Sequence, residues 1–130
     1  MQVKLDLEFD IPSSTPQQRS FSTQGSSYPS LGLRYARAAW IALLMSHAPH
    51  RPLKAPCSLR VSLYYHTPNE RRDGKHKVTR PDATNILKLV EDCLVKCGYL
   101  LDDSGNTVFC ERKWTTGASR VVIELEEIEE

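Results

Sequence analysis

The chain has 130 residues and a formal net charge of +1, and 40% of its residues are hydrophobic and 25% charged. These values are ordinary for one globular domain with a single core. The longest apolar run, residues 38–45, is far shorter than the roughly 20 residues that a membrane-spanning helix needs, and the N-terminal sequence MQVKLDLEFD lacks the continuous apolar segment of a signal peptide. We therefore expect a cytoplasmic protein without a membrane partner.

The four cysteines show no CxxC spacing, and the four histidines form no HExxH array. Cys93 and Cys97 lie four residues apart in an apolar helical pattern, which suits small, reduced and buried side chains. A zinc site is the alternative interpretation, but zinc ligands normally come in closer pairs. We therefore predict structural cysteines, and we include Cys57 and Cys110 in this prediction.

The first part of the chain predicts a strand, a long loop and a helix. Apolar and charged residues alternate over residues 3–10, which is the pattern of a strand with one buried face. Residues 12–29 are rich in Ser, Gln and Pro without periodicity, and they predict a loop or arm. Alanine and other helix formers predict a helix over residues 33–47, and Pro49 prevents its continuation.

The second part of the chain predicts one more helix and three more strands. Alternation over residues 57–66 predicts a strand, and the last two strands, over residues 108–114 and 121–125, are expected to pair as a hairpin. Between these strands, Pro81 predicts the start of a helix and Gly98 predicts its end. The order strand, helix, strand, helix, strand, strand indicates an α+β fold, in which two main helices pack on one face of a small mixed β-sheet.

The helix that begins near Pro81 combines an apolar stripe with a polar start. Its apolar residues recur at spacings of three and four and fall on one face: Ile86, Leu89, Val90, Cys93 and Cys97. Four polar residues cluster at its start: Asp82, Thr84, Asn85 and Lys88. The last three project from the side opposite the stripe, and Asp92 follows one turn later. Asp82 is a helix cap in one interpretation and part of a metal site in the other.

An acidic doublet follows this helix, and a basic segment precedes it. Asp102 and Asp103 lead into Ser-Gly-Asn, so a turn is one interpretation. The other is that Asp103 approaches Asp82 and that the two carboxylates bind a divalent cation such as Mg²⁺. Residues 51–80 contain eight Lys or Arg against two acidic residues. This segment is either a solvated surface or a loop that binds a polyanion.

The stretch RPDATNILKLVEDCLVKCGYLLDD resembles the core motif of the RusA family of Holliday junction resolvases. In that motif an Asp-x-Asp-Asn-x-x-Lys helix start is followed by an amphipathic helix that contains an Asp, a Gly-aromatic turn and an Asp-Asp pair. The matching residues, at undisturbed spacing, are Asp82, Asn85, Lys88, Asp92, Gly98, Tyr99, Asp102 and Asp103. Weaker similarity extends outward, so the resemblance implies a single RusA-like nuclease domain over residues 1–130, with 12–29 as a loop or arm and 67–80 as a basic loop.

The resemblance also implies an activity and a set of site residues. Members of the family are homodimeric, Mg²⁺-dependent endonucleases that resolve four-way DNA junctions by paired symmetric nicks in recombination and repair, and Mn²⁺ is the alternative cofactor. Asp82 and Asp103 would hold the metal and take part in catalysis with Lys88. Asp102 would be a second metal ligand or a hydrogen-bond acceptor beside the ligands. The residues expected to contact branched DNA are Arg71, Arg72, Lys75, Lys77, Arg80 and Asn85.

The dimer implied by the resemblance needs an interface. The arm over residues 12–29 and the first predicted helix, with Trp40 and Leu44, are the candidate interface. Ordinary core packing is the alternative explanation for these two apolar side chains.

One position departs from the family motif. Thr84 stands where the family has its second Asp, which removes a negative charge and leaves a weak oxygen ligand. The resemblance is therefore compatible with a junction endonuclease that has a rearranged site, and with a catalytically weak structural subunit that binds branched DNA. A third hypothesis is an unrelated α+β module whose charged patches bind protein partners, but the fixed spacing of the motif argues against it.

Overall fold

The computed structural model describes residues 1–13, 19–21, 27–29, 31–79 and 83–130. Within these ranges neither helix has the combination of length and apolar character that crossing a membrane requires. The elements, in chain order, are β1 (Gln2–Glu8), β2 (Arg19–Phe21), β3 (Ser27–Pro29), α1 (Leu31–Met45), β4 (Cys57–His66), α2 (Ala83–Lys96), β5 (Asn106–Thr115) and β6 (Arg120–Glu127).

The main sheet is mixed and has the strand order β1-β6-β4-β5. β4 and β5 are parallel neighbours joined through α2, whereas β6 is antiparallel to both β1 and β4. Parallel neighbours need a crossover connection, and α2 supplies it as in other βαβ units. The predicted α+β fold with a mixed sheet is confirmed.

The predicted hairpin between the last two strands is wrong, because β4 lies between β5 and β6. Val61 of β4 pairs with Cys110 of β5 on one side and with Ile123 of β6 on the other. The alternation of apolar residues locates both strands correctly. It could not identify the partner of each strand, because a period of two reports only which side chains face the core.

The stretch over residues 12–29, predicted as a loop or arm, contains β2 and β3, which pair antiparallel with each other. These two strands of three residues each were not predicted. Residues 14–18, 22–26 and 30 lie outside the described residues.

The hydrophobic core lies between the main sheet and the two helices. β4 and β6 contribute their inward residues: Leu59, Val61, Leu63, Val121, Ile123 and Leu125. All five residues of the predicted apolar stripe on α2 are buried against them. Cys57 is also buried and Cys110 is half-buried, so the cysteines pack as the sequence predicts.

α1 carries apolar residues on two opposite sides. Its inner side is fully buried: Leu33, Ala36, Trp40 and Leu44. Of the two interpretations of Trp40 and Leu44, core packing is confirmed and the exposed interface is wrong. The Trp40 ring packs against Phe9 with 4.7 Å between the ring centres. The outer side exposes a second apolar stripe: Leu31, Tyr35, Ala38, Ala42 and Met45.

The C-terminal end of α2 is a Schellman turn. Gly98 has a φ of 81°, which an L-residue with a side chain rarely adopts. The N–H of Gly98 donates to the carbonyl oxygen of Val95 at 3.2 Å, and the N–H of Tyr99 donates to that of Leu94 at 2.9 Å. The predicted helix end at Gly98 is confirmed, and the turn directs the chain towards the acidic doublet.

Candidate metal and nucleic-acid site

The polar side of α2 projects from the protein, as the sequence predicts. Thr84, Lys88 and Asp92 are exposed, and one helical turn separates each of them from the next. Asn85 is half-buried. Lys88 is therefore accessible to a ligand, and its catalytic role stays a prediction.

Asp82, the first predicted metal ligand, and Arg80 lie outside the described residues. The flanking residues Thr79 and Ala83 are described, and they locate the two ends of this gap in the structure. The predicted meeting of Asp82 with Asp103 accordingly remains a proposal.

The position of α2 along β5 locates the start of the helix relative to the acidic doublet. The Cys110 thiol lies 3.8 Å from the carbonyl oxygen of Ala83, and Asn106, four residues earlier in β5, lies close enough to Glu91 to lower the pKa of its carboxyl group. The eight residues from Ala83 to Glu91 and the four residues from Asn106 to Cys110 both span about 12–13 Å. Because Ala83 lies beside Cys110 and Glu91 beside Asn106, the helix and the strand run in opposite directions. Asp103 precedes Asn106 and lies near Glu91, so the doublet is far along α2 from Ala83.

Asp102 and Asp103 lie in an exposed turn before β5. The N–H of Ser104 donates to Asp102 Oδ1 at 2.9 Å, and the side-chain amide of Asn106 donates to the carbonyl oxygen of Asp103 at 3.3 Å. The bond from Ser104 and a further bond to Asp103 lower the pKa of Asp102. One oxygen of Asp102 is therefore used to hold the turn. The carboxylate of Asp103 belongs to an exposed residue and is accessible to an ion.

A surface cleft of about 430 Å³ connects the doublet with both helices. Its lining includes Arg37 of α1 and, from α2 and the turn, Asp92, Val95, Lys96, Leu101, Asp102 and Asp103. Three carboxylates, two basic side chains and the apolar Val95 and Leu101 therefore share this lining. The acidic doublet is thereby brought beside Asp92, whose exposed position the helical pattern predicted.

Glu91, which sequence reasoning did not include in the site, lies beside this cleft. Burial raises the pKa of Glu91, a hydrogen bond with Asn106 lowers it, and the charges of Asp103 and Asp92 raise it again. Carboxylates that crowd in this way repel one another, and a bound cation relieves the repulsion. Among the residues that the structure describes, however, no three His, Cys, Asp or Glu side chains are close enough together to hold a metal ion.

The basic loop is attached to the outer edge of β5. Three backbone hydrogen bonds of 2.9 Å join residues 74–77 to residues 112–114. The carboxylate of Asp73 accepts a hydrogen bond from the N–H of Thr116 at 2.8 Å. These contacts cover an otherwise open sheet edge and fix the path of the loop. Its exposed basic side chains are Arg71, Arg72 and Lys75.

Lys77 differs from these exposed residues because it is half-buried over two aromatic rings. Its Nζ lies 4.8 Å from the ring centre of Tyr65 and 5.4 Å from that of Trp114, and it donates to Thr79 Oγ1 at 2.6 Å. Burial and the nearby charge of Arg112 lower the pKa of Lys77. Contacts within the chain therefore hold Lys77, and its predicted contact with DNA stays a prediction.

Arg112 is a second residue that sequence reasoning missed. It is only 8% exposed, it pairs with Leu63 of β4, and its Nη1 donates to the carbonyl oxygen of Thr79 at 2.9 Å. A signal was present in the sequence, since Arg112 continues the alternating series of Val108 and Cys110, in which Cys110 is half-buried. A charged residue at such a position is seldom buried without a specific structural partner.

Comparison with known proteins agrees with the motif. The sequence model of the family described as Endodeoxyribonuclease RusA matches residues 10–126. A protein of Lactococcus phage r1t, named crossover junction endodeoxyribonuclease rusA, is 29% identical over 89 residues, which cover 67% of this chain and 68% of that protein. The hypothesis of an unrelated interaction module is therefore wrong. Because the family match spans nearly all of the fold described above, the chain belongs to the RusA family of endodeoxyribonucleases.

Proposed function

We propose that the protein is a Mg²⁺-dependent, structure-selective endodeoxyribonuclease that acts in the cytoplasm and resolves four-way DNA junctions by paired nicks during recombination and repair. Family membership supports cleavage of DNA, and the similar phage protein is named for crossover junctions. The observation that carries the proposal is the exposed side of α2. Lys88 and Asp92 both lie on this side, and Asp92 lines the same cleft as Asp103.

The donor chemistry of the site suits Mg²⁺. Carboxylate oxygens are hard ligands, and Mg²⁺ takes one or two of them together with waters and substrate phosphates. We assign Asp82 and Asp103 as ligands, with Asp102 contributing its remaining oxygen and Thr84 as a neutral replacement for a family carboxylate. Mn²⁺ would be accepted by the same oxygens.

We further propose that each ion is held between two subunits. Within one chain, Ala83 lies about 12 Å along α2 from Glu91, and Asp103 lies near Glu91. An ion bound next to Asp103 is therefore remote from the residue that follows Asp82. In a homodimer, Asp82 of one subunit and Asp103 of the other can share the ion.

The outer side of α1 is the surface that we assign to the second copy of the chain. A helix that is apolar on two opposite sides usually has a partner on each. The core covers the inner side, and Leu31, Tyr35 and Met45 are exposed on the outer side. Arg37 of the same helix lines the cleft that contains Asp103, so a subunit packed against α1 would lie beside the doublet.

The residues of this chain have separate tasks in the proposed reaction. The metal, when bound, lowers the pKa of a coordinated water and polarises the scissile phosphate. Lys88 stabilises the negative charge that develops on the phosphate. Arg71, Arg72 and Lys75 bind backbone phosphates and so position the junction arms without reading the bases. Two sites related by a two-fold axis match two symmetric cuts.

The first experiment compares cutting of a synthetic four-way junction with cutting of a linear duplex of the same sequences, in Mg²⁺ and in Mn²⁺. We expect the junction to be cut in preference, and we expect Asp82→Asn to abolish cutting while junction binding is retained. Asp6→Asn is the matched control, because Asp6 pairs with Arg120 on β1 and β6, away from the proposed site. Equal cutting of junction and duplex would contradict the proposed selectivity.

A catalytically weak subunit that binds branched DNA is the second candidate function. Thr84 favours it, because this exposed residue takes the place of a family carboxylate at the start of α2. Selective binding of the junction without cutting in either metal would support this candidate and overturn the nuclease proposal.

A further inference from the structure

The basic loop after β4 is folded by its own hydrogen bonds. The N–H of Arg72 donates to the carbonyl oxygen of Asn69 at 3.0 Å, and the N–H of Asp73 donates to that of Glu70 at 3.2 Å. The N–H of Lys75 then donates to the carbonyl oxygen of Arg72 at 2.9 Å. Each of these bonds joins residues three apart and closes a tight turn. The exposed basic side chains of the loop therefore project from an ordered backbone.

A second set of contacts attaches the middle of this loop to the sheet. Asp73 Oδ1 accepts a hydrogen bond from the N–H of Thr116 at 2.8 Å and another from Thr116 Oγ1 at 3.3 Å. The next residue, Gly74, donates its N–H to the carbonyl oxygen of Trp114 at 2.9 Å. Hydrogen bonds to a carboxylate are stronger than those to a neutral acceptor. The side chain of Asp73 therefore anchors the loop to the connection between β5 and β6.

Trp114 also contacts the side chain of Arg72, which precedes the anchor. Arg72 is exposed, and its guanidinium lies 5.5 Å from the centre of the Trp114 ring. The Trp114 ring in turn makes an edge contact with the ring of Tyr65, at 6.4 Å between the ring centres. A guanidinium that already rests on an aromatic ring loses less conformational freedom when it binds a phosphate. The loop thus presents Arg72 in a preformed position.

The charge of Asp73 by itself opposes DNA binding, because an exposed carboxylate among basic residues repels phosphates and reduces the local positive charge. We propose that Asp73 nevertheless strengthens DNA binding: it is a positioning residue that holds the basic loop in the shape from which Arg72 and its neighbours contact phosphates. This role rests on the proposed function, in which exposed basic residues of the loop bind the DNA backbone, and it involves none of the proposed metal ligands.

The test compares three variants of the full chain that each remove one negative charge from the loop: Asp73→Ala, Asp73→Asn and Glu70→Ala. Asparagine keeps an oxygen that can accept the bonds from Thr116. Glu70 is exposed and contributes its backbone oxygen to the loop, which alanine retains. Three quantities are measured: four-way junction affinity in Ca²⁺ over a series of salt concentrations, urea unfolding, and quenching of tryptophan fluorescence by neutral acrylamide. Because Trp40 is fully buried, the quenching reports mainly on Trp114.

We expect Asp73→Ala to bind the junction about fivefold more weakly than Glu70→Ala, although the two variants have the same net charge, because the loss of one such hydrogen bond has an effect of this size. The slope of log affinity against log salt concentration should be smaller by about one in Asp73→Ala, which corresponds to one lost phosphate contact. Acrylamide should quench Trp114 more strongly in this variant. Asp73→Asn and Glu70→Ala should bind at least as tightly as the wild type.

Equal affinities of Asp73→Ala and Glu70→Ala would overturn the inference, because charge alone would then explain both. A loss in Asp73→Ala that only follows the unfolded fraction would overturn it too, as would an equal loss in Asp73→Asn. If Asp73→Ala does not fold, Thr116→Val removes one donor from the other end of the anchor without a change in charge. It should weaken junction binding about twofold, and wild-type affinity would overturn the inference. A wild-type protein that binds no DNA even at low salt refutes the proposed function itself.

Discussion

Among single residues, Glu91 shows most clearly how burial and neighbouring charges affect a carboxylate beside the cleft. Its carboxylate is half-buried, and Asp103 and Asp92 add negative charge around it. Burial is the largest cause of its raised pKa, and the hydrogen bond with Asn106 offsets only a part. Ionised Glu91 therefore destabilises the folded protein at neutral pH, in the absence of a cation.

We expect Glu91→Gln to be more stable than the wild type at pH 7. The folded-state pKa is above the unfolded-state value, so the penalty is present above the folded pKa and disappears as the pH falls below the unfolded value. Urea unfolding at pH 7 and near pH 4 should show a gain at the higher pH that shrinks at the lower one. Glu126→Gln, at an exposed position of β6, is the control. A variant less stable than the wild type at pH 7 would contradict this interpretation.

The exposed residues of the candidate site on α2 could be predicted from the sequence, and their tertiary neighbours could not. A helical period of 3.6 is enough to place Thr84, Lys88 and Asp92 on the exposed side. The surroundings of Glu91 and Arg112 include Asn106 and Thr79, which are distant from them in sequence and adjacent only after folding. A local pattern contains no information about such pairs.

At the scale of elements, α2 and its two ends position the residues of the candidate site. The helix begins beside Cys110 and ends at Gly98, and the turn after Gly98 delivers the acidic doublet to the cleft. Caps and glycines are local signals, so the end of α2 was predictable. The pairing of β5 with β4 was not, because strand order depends on long-range packing. The inner side of α1 was ambiguous for a related reason: the helix has apolar residues on two opposite sides, and the sequence does not show which of them faces the core.

We expect Gly98→Ala to destabilise the protein by about 1 kcal/mol, because an L-residue pays a steric penalty at positive φ. Apart from the neighbouring residues in the chain, nothing lies within 4 Å of the added Cβ, so the penalty is conformational and not a clash. Gly117→Ala is the matched control: its Cβ would meet Thr115 Oγ1 at an ordinary 3.5 Å, and its φ is not in the left-handed region. Chemical denaturation measures both variants, and an equal loss of stability in the two would contradict the role of Gly98.

At the scale of the whole molecule, the proposed site extends along the length of α2. The sequence motif identified the family and the residue types of the site, because acidic and basic residues recur there at fixed intervals. It suggested that Asp103 folds back towards Asp82 in the same chain. α2 has 14 residues, which correspond to about 21 Å, and β5 begins near the far end of this helix. We therefore propose that two subunits complete each metal site, one with Asp82 and the other with Asp103.

The most direct test of this shared site mixes two inactive variants, Asp82→Asn and Asp103→Asn, under conditions in which subunits exchange. Each variant alone should not cut a four-way junction. In a mixed dimer one site combines the intact Asp82 of one subunit with the intact Asp103 of the other, so random exchange should restore about a quarter of the wild-type sites. We expect the mixture to nick the junction in one strand per dimer. A mixture that remains as inactive as its components, although mixed dimers have formed, would contradict the shared site.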